Sequence, residues 1–363
     1  MKFMKEDNVL FVVSDDSVEL EQDGYGFKLF SYLARLKLKE VMRKFFLFFV
    51  FIVSVTAAFA QEERVEELIN RGIAYHDAKE YDKAIELYRE ALRLDPYSAE
   101  AMYELSLSLL EIQDYVAAIE YCDKLIDRDD KYAILSYNTK GSCLNYQGRT
   151  SEAIDVFLKG IKKEDSFYLL YFNLGLAYYA NENYQQAKDA FVNALDLNPQ
   201  HAGSHLNLGR TMWSLDRRIE SLLSLYYFLL IEPNTDRSEW AYHALQEQFL
   251  KNGLSKSQFG AADVLYSTYL SAEGSDNESE MDLFIRNTDA FFSVLNEINL
   301  RKNPRGENVW WSFYTDFFKE LSSLKYTEVF CHYISLSVSD LEEEWLKRNN
   351  DQVRGFAIWL RQQ

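Results

Sequence analysis

The sequence predicts an all-α protein in which helix hairpins stack into a solenoid that is followed by a further all-helical region. Small residues recur every 34 or 35 positions, at Gly72, Ser106, Gly141, Gly175 and Gly209. Between them, apolar residues are spaced as on one face of an α-helix. The chain has only 4 Pro but 25 Tyr and 25 Phe, which indicates long regular elements around an aromatic interior.

Two further series of residues repeat with the same spacing. A small residue lies twelve positions after each member of the first series, and a larger residue lies four positions beyond that. The small residues are Ala84, Ala118, Ala153, Ala187 and Ser221, and the larger ones are Tyr88, Cys122, Phe157, Phe191 and Leu225. Coincident series at one period predict repeated helix–turn–helix units. The small residues allow the paired helices to approach closely, and the large ones fill the space between units.

These repeating residues resemble the tetratricopeptide repeat (TPR) family. The family pattern W-x2-L-G-x2-Y…A-x3-F…A…P is matched by Tyr171, Leu174, Gly175, Tyr178, Ala187, Phe191, Ala194 and Pro199. Residues 61–235 are interpreted as an array of five repeats, at 65–98, 99–132, 134–167, 168–201 and 202–235. The resemblance implies a right-handed superhelix of helix pairs in which the first helix of each pair lines a concave groove.

The family's inward-pointing positions imply a groove that binds a polypeptide partner. Carried over to this sequence, they are Tyr103, Leu107, Asn138, Ser142, Asn145, Tyr146, Phe172, Leu176, Tyr179, Leu206, Arg210 and Trp213. Aromatic walls with interspersed amides suit an extended peptide or a helix. Ile69 and Ile73 stand where some relatives have the Lys and Asn of a carboxylate clamp, so binding of a chaperone tail is not expected. The sequence leaves open whether the C-terminal helices fill the groove.

Residues 236–363 predict an all-helical region that continues and caps the array. Residues 236–250 and 257–272 are interpreted as a degenerate sixth helix pair without the small-residue signature. Loops are predicted at 274–277 and 303–308. Further helices are expected from Glu278 to about Leu300, and over Val309–Leu324, Tyr326–Val338, Asp340–Lys347 and Asp351–Arg361.

Residues 42–60 have the layout of a secretory signal peptide. Arg43 and Lys44 precede an apolar run from Phe45 to Val55, and Ala58-Phe59-Ala60 has the form of a cleavage site. The apolar stretch is shorter than the roughly 20 residues that span a bilayer. We therefore expect cleavage after Ala60 and export to the periplasm of a Gram-negative bacterium. A signal-anchor helix is the alternative, and contact with a membrane is expected only through this segment if it stays uncleaved.

Residues 1–41 stand ahead of this signal, which normally begins a chain. They contain one short β-prone run, Val9–Val13, and neither Cys nor His. A segment of about 40 residues rarely folds alone without disulfides or a metal. We interpret residues 1–41 as an over-extended N-terminus that results from a mis-set start, with translation beginning at Met42.

The charge of the chain disfavours nucleic acid as a partner. The formal net charge is −18, and residues 1–60 contribute nothing to it because they carry equal numbers of acidic and basic side chains. Such an acidic surface does not neutralise phosphates. Adhesion to anionic lipid is disfavoured for the same reason.

No catalytic fingerprint occurs in the sequence, such as a P-loop, H-E-x-x-H or G-x-S-x-G. His201 and His205 have a spacing that could serve a metal, but no third ligand is designated, and packing explains His205. The run Glu342–Glu344 is interpreted as a solvated helix face. A hydrolase would need histidines near carboxylates in the C-terminal region, where only His243 and His332 occur.

The three cysteines and the adjacent tryptophans leave further questions open. Cys122 and Cys143 are expected on neighbouring helices, where they are either buried thiols or a disulfide of an exported protein. Of Trp310 and Trp311, one is expected in the core and the other exposed to a partner.

The sequence therefore predicts a non-catalytic exported scaffold that binds a polypeptide partner and requires neither a cofactor nor a metal. An accessory envelope subunit is the alternative, in which residues 236–363 bind a small molecule or glycan in a pocket containing Trp310 or Trp311. The sequence leaves a homo-oligomer open.

Overall fold

The computed structural model describes residues 2–6, 9–13, 25–129, 131–250, 278–297 and 309–363. A short antiparallel hairpin, β1 (Lys2–Glu6) and β2 (Val9–Val13), precedes the helices. The β-prone run at Val9–Val13 is therefore a strand, as predicted. Every other regular element within the described ranges is a helix, which confirms the predicted all-α class.

The first helix, α1, runs without a break from Tyr25 to Asp77. It contains both the apolar run of the predicted signal and the first helix of repeat 1. Large side chains of the run are exposed, and Phe45 keeps 74% of its surface accessible. Among the residues that the structure describes, no helix is long and apolar enough to cross a membrane.

The remaining helices of the five repeats follow at regular intervals, and each packs against the next. They are α2 (Tyr81–Leu94), α3 (Ala99–Glu111), α4 (Tyr115–Asp127), α5 (Ala133–Tyr146), α6 (Thr150–Lys163), α7 (Tyr168–Ala180), α8 (Tyr184–Leu197), α9 (Ala202–Ser214) and α10 (Arg218–Ile231). The predicted helix pairs and their solenoid stacking are confirmed.

Close approach within a hairpin depends on the small residue of its first helix. A Cβ atom added to Gly175 would lie 2.6 Å from a ring atom of Phe191, closer than side-chain atoms pack. Repeat 2 has the larger Ser106 at the equivalent position, and the smaller Cys122 replaces the aromatic ring opposite. The two series therefore compensate one another in size, and both residues of each pair are buried.

In each hairpin, one residue between the two helices has a left-handed backbone conformation. The five residues have φ between 58° and 75°, and they are Lys79, Gln113, Gly148, Glu182 and Asp216. In repeat 2 the next N–H, that of Asp114, donates to the carbonyl of Leu109 at 2.9 Å and closes the end of the helix. The same turn recurs in the C-terminal region at Lys325, where φ is 61°.

The C-terminal region supplies six further helices within the described ranges. They are α11 (Asp236–Leu250), α12 (Glu280–Glu297), α13 (Val309–Ser323), α14 (Thr327–Ile334), α15 (Asp340–Arg348) and α16 (Asn350–Leu360). Helix α14 ends four residues before the predicted Val338, and the other bounds lie close to the predictions. The predicted helix at 257–272 and the predicted loops at 274–277 and 303–308 lie outside the described residues.

The largest core joins the last two repeats to the C-terminal helices. Helix α10 is buried along its length because α9 covers one side and α11, α13 and α14 pack on others. Five phenylalanine rings surround Tyr226 of α10, with centroids 5.3 to 6.5 Å away. These C-terminal contacts with α10 are therefore made on a second helix of the array, whereas the groove is predicted on the first helices.

Candidate functional site: the concave groove

The predicted groove residues lie on α3, α5, α7 and α9, the first helices of repeats 2 to 5. Tyr146 keeps 67% of its surface exposed, and most of the others are half-buried. The prediction that Leu206 lines the groove is wrong, because its side chain is only 6% exposed and belongs to the core that includes the C-terminal helices. Its side chain is therefore a packing residue and not a contact for a partner.

Aromatic rings line the groove in pairs that the sequence did not predict. Tyr103 stacks on Tyr132 with centroids 5.1 Å apart, and Tyr146 stacks on Tyr115 at 5.9 Å. The second pair joins repeats 2 and 3, and the first brings Tyr103 of α3 against Tyr132, the residue that precedes α5. The pairing fixes the orientation of the rings before any partner arrives, which reduces the entropy lost on binding.

The middle of the groove carries amide groups. The Nδ2 atom of Asn173 donates to Oδ1 of Asn138 at 2.8 Å, which links repeats 3 and 4. The hydroxyl of Ser142 donates to the carbonyl of Asn138, and that of Thr150 donates to Oδ1 of Asn145. The side-chain oxygens of Asn138 and Asn145 therefore each accept a hydrogen bond within the groove. The side-chain nitrogen of Asn138 donates to no described residue. That N–H group is able to pair with the backbone of a partner.

At its C-terminal end the groove contains a small pocket of about 140 Å³. Arg210 lies between two rings there, 5.6 Å from the ring centroid of Tyr179 and 5.2 Å from that of Trp240. Trp213, Glu247 and Gln248 also line the pocket. Helix α11 contributes Trp240, Glu247 and Gln248, so it extends the groove beyond α9.

Sequence reasoning missed these residues of α11 although a signal was present. Trp240 and Gln248 come 34 positions after Leu206 and Ser214 of α9, the first helix of repeat 5. The period therefore continues to the end of α11. The small-residue series stops there, and its loss concealed the continuation.

The two ends of the groove differ in charge. Burial raises the pKa of the Glu104 carboxyl, and the nearby carboxylates of Glu100 and Asp77 raise it further. Burial, together with Glu104, raises the pKa of Tyr103 to about 12. The N-terminal end is thus acidic, whereas the opposite end presents the cation of Arg210.

Comparison with known proteins agrees with this architecture. Two family models, both described as tetratricopeptide repeat, match the chain, one at residues 57–99 and 69–133 and the other at 168–201. The chain contains TPR repeats. The matched residues include α3 and α7, two of the four helices on which the predicted groove residues lie.

Curated relatives share the repeats over part of their length. The general transcriptional corepressor ssn6 of Schizosaccharomyces pombe is 28% identical over 120 residues, which is 32% of this chain and 11% of the relative. Anaphase-promoting complex subunit 3 of the same organism is 24% identical over 232 residues, 64% of this chain and 32% of the relative. The chain thus spans between about a tenth and a third of these two proteins.

Solved structures of TPR proteins are also similar to the chain. The thermophilic TPR protein TTC0263 of Thermus thermophilus is 20% identical and covers 52% of this chain and 100% of its own, with a TM-score of 0.44. PilF of Pseudomonas aeruginosa is 20% identical and covers 53% of this chain and 91% of its own, with a TM-score of 0.43.

His205 of TPR repeat 5 is engaged in packing. Its Nε2 lies 2.8 Å from the carbonyl oxygen of Pro199, and its Nδ1 lies 2.6 Å from the hydroxyl of Tyr314. Because a carbonyl only accepts, Nε2 carries the proton and Nδ1 accepts from Tyr314. Burial lowers the pKa of His205 to about 4, so the ring is neutral at pH 7. His201 bonds Ser204 instead of sharing a ligand with His205.

The tryptophans of the C-terminal region differ from the prediction, because both are buried. Trp310 is 7% exposed and Trp311 is 1% exposed. The indole N–H of Trp310 donates to Asp196 on α8 at 2.5 Å, which ties α13 to TPR repeat 4. Neither ring is free to line the ligand pocket that the alternative function requires.

The run Glu342–Glu344 also needs a correction. Glu342 is buried, where it pairs with Nδ1 of His332, and the ring of Trp345 stacks on that histidine at 3.7 Å. Glu343 and Glu344 pair with cations on their own helix, α15. The run is therefore a solvated face only in part.

The cysteines of TPR repeats 2 and 3 are free thiols. Cys122 and Cys143 are both buried, and burial raises the pKa of each to about 12. Both sulfurs are therefore protonated at neutral pH, and both act as small apolar core groups. His243 is exposed on α11.

Proposed function

We propose that the chain is a non-catalytic protein-interaction scaffold that holds an extended polypeptide in its concave groove. TPR proteins act as protein-interaction scaffolds, and the TPR fold is typically non-catalytic. The observation that carries the proposal is the row of half-buried and exposed rings and amides along the first helices of repeats 2 to 5. Tyr146 presents an exposed ring, and Asn138 presents an N–H group that no described residue accepts.

An extended backbone fits this surface because the amides in the middle of the groove have rings on both sides of them. Rings supply apolar contact at a low cost in side-chain entropy, and amides pair with main-chain N–H and C=O groups. An interaction of this kind needs neither a metal nor a cofactor. The acidic surface of the chain supports a polypeptide partner over a nucleic acid.

A pull-down from envelope extract tests the groove. We compare wild type with a triple variant, Tyr103→Ala, Phe172→Ala and Trp213→Ala, which removes rings from repeats 2, 4 and 5. The control is a second triple variant, Val116→Ala, Leu158→Ala and Leu197→Ala, which removes exposed apolar groups from second helices. We expect the groove variant to lose partners that the control variant retains.

Thermal melts by circular dichroism must accompany the pull-down, because Phe172 also packs on Phe191. Only variants that keep a folded array are compared. Equal recovery of every partner by wild type and a folded groove variant would contradict the proposal.

We also propose that the protein is exported to the periplasm of a Gram-negative bacterium after cleavage behind Ala60. The layout of residues 42–60 supports export, as do the exposed phenylalanines of this segment on α1. Cleavage removes these apolar side chains from the surface of the mature protein. The intact mass of the protein tests the proposal: we expect a species that begins at Gln61, and one that begins at Met1 would contradict it.

A further inference from the structure

The pocket at the C-terminal end of the groove contains one basic side chain, Arg210, and one acidic side chain, Glu247. Arg210 is exposed, and it makes no ion pair with any residue that the structure describes. Tyr179 of repeat 4 and Trp240 of α11 hold its guanidinium by cation–π contacts at 5.6 and 5.2 Å. These contacts do not use its N–H groups, which donate to no described residue and remain for a ligand.

A second observation in the same pocket also indicates a missing ligand. Gln248 is only 2% exposed, it lines the pocket, and its Oε1 atom has no hydrogen-bond partner among the described residues. An unpaired acceptor in a buried position is destabilising, and a ligand that donates a hydrogen bond removes this cost. The group that Oε1 lacks is a donor, such as a backbone N–H.

We infer that this pocket recognises a carboxylate of the bound polypeptide together with a backbone N–H close to it. The planar guanidinium of Arg210 receives the carboxylate in two parallel hydrogen bonds. Gln248 accepts the N–H, and Trp213 and Trp240 contact the aliphatic part of the same residue. The inference rests on the proposed function, because it assigns one residue of the polypeptide to one place in the groove.

The charge of the pocket limits the ligand to a single carboxylate. Glu247 lies on the pocket wall, and its negative charge opposes a second anion. A run of acidic residues would also meet the net charge of −18 that the chain carries. The carboxylate is either the side chain of an isolated acidic residue or the C-terminus of the polypeptide, and both present the same group to Arg210.

Affinity selection with synthetic peptides tests the inference and separates the two sources. The probes are four libraries of seven-residue peptides, with glutamate or glutamine at the centre and with a free or amidated C-terminus. Immobilised full-length protein retains the peptides, and mass spectrometry counts them. We expect about tenfold or greater enrichment of one carboxylate-bearing library over its amide counterpart, as a charge-assisted hydrogen bond implies.

Variants assign the preference to the pocket. Arg210→Gln should abolish the carboxylate preference, and Arg210→Lys should retain only part of it because lysine lacks the planar fork. Arg93→Gln is the matched control, since it removes the same charge from an exposed site on α2. Gln248→Leu should weaken retention of the preferred library, and thermal melts check that each variant is folded.

The outcomes separate this inference from the proposed function. Retention of peptides without a carboxylate preference, or the same preference in Arg210→Gln, would overturn the Arg210 site and leave the groove proposal standing. Failure of wild type to retain any peptide would contradict the groove proposal, and the inference with it. Enrichment of the central-glutamate library identifies a side chain, and enrichment of the free-terminus library identifies the C-terminus.

Discussion

The TPR array and the C-terminal region are both helical, yet they are held together differently. In the array, a small residue on one helix receives a large residue of its partner sixteen positions later, as Gly175 receives Phe191. In the C-terminal region, rings from several helices converge on Tyr226 of α10. The array therefore depends on contacts between neighbours, whereas the C-terminal region depends on one shared aromatic core.

The two regions share one type of turn between helices, which shows that this turn does not depend on the packing of small and large residues. Lys325 joins α13 and α14 through the left-handed turn that Gln113 provides in repeat 2. The N–H of Tyr326 donates to the carbonyl of Leu321 at 3.1 Å, as in the array. The same hairpin turn thus serves helices that carry no small-residue signature.

The largest expected effect comes from a charge placed between the helices of one TPR hairpin. Ala187→Arg buries a cation in the hydrophobic core, where Ala187 is fully covered. We expect the repeats around α8 to unfold cooperatively, with loss of helical signal in far-UV circular dichroism. Gln186→Arg is the control, since Gln186 is exposed on the same helix. Similar melts for the two variants would contradict close packing within the hairpin.

A matched pair of phenylalanine substitutions compares the two kinds of core. Phe157 of repeat 3 and Phe292 of α12 are both buried, so each change to alanine should cost about 3–5 kcal/mol of unfolding free energy. Hydrogen exchange with mass spectrometry should locate the effects differently. We expect Phe157→Ala to increase exchange in α5 to α7, and Phe292→Ala to increase it in α10 and in α12 to α14.

If both variants increase exchange over the whole chain, the two cores form one cooperative unit, and the distinction between them is wrong. An unchanged pattern in Phe292→Ala would contradict the aromatic core itself.

The sequence predicted more of the TPR array than of the C-terminal region. Helix pairs followed from the period, because neighbour contacts leave a trace at fixed spacing, whereas the groove positions were carried over from the resemblance to the TPR family. The burial of Trp311 and the pairing of His332 with Glu342 left no such trace, since they depend on how helices of the C-terminal region meet. Trp240 and Gln248 lay on the period, but their repeat lacks the small residues that mark the others.

The joint between the two regions, at the contact of His205 with Tyr314, should make the free energy of unfolding depend on pH. His205 of the array bonds Tyr314 of α13 as a neutral ring, and burial lowers its pKa to about 4. The unfolded chain binds this proton near pH 6.5, so the contribution is complete above pH 6.5 and is lost as pH falls toward 4. We expect a loss of about 3 kcal/mol in that range, measured by urea unfolding.

The control is His205→Gln, whose neutral amide can donate to Pro199 and accept from Tyr314 without titrating. Its unfolding free energy should fall less steeply between pH 6.5 and 4 than that of wild type. Parallel pH profiles for the two proteins would show that the joint does not depend on a neutral His205.

The smallest expected effect concerns the turn that the two regions share. Gln113 holds φ at 65°, where a Cβ atom is disfavoured, so Gln113→Gly relieves strain although glycine loses more chain entropy on folding. These terms oppose one another, and we expect a net gain of about 0.5 kcal/mol or less. Gly148 occupies the same turn in repeat 3 with φ of 75°, and Gly148→Ala should destabilise by about 1 kcal/mol. Because no atom lies within 4 Å of a Cβ added at Gly148, this loss would report backbone conformation alone. If Gly148→Ala leaves the urea midpoint unchanged, the turn is not constrained to the left-handed region.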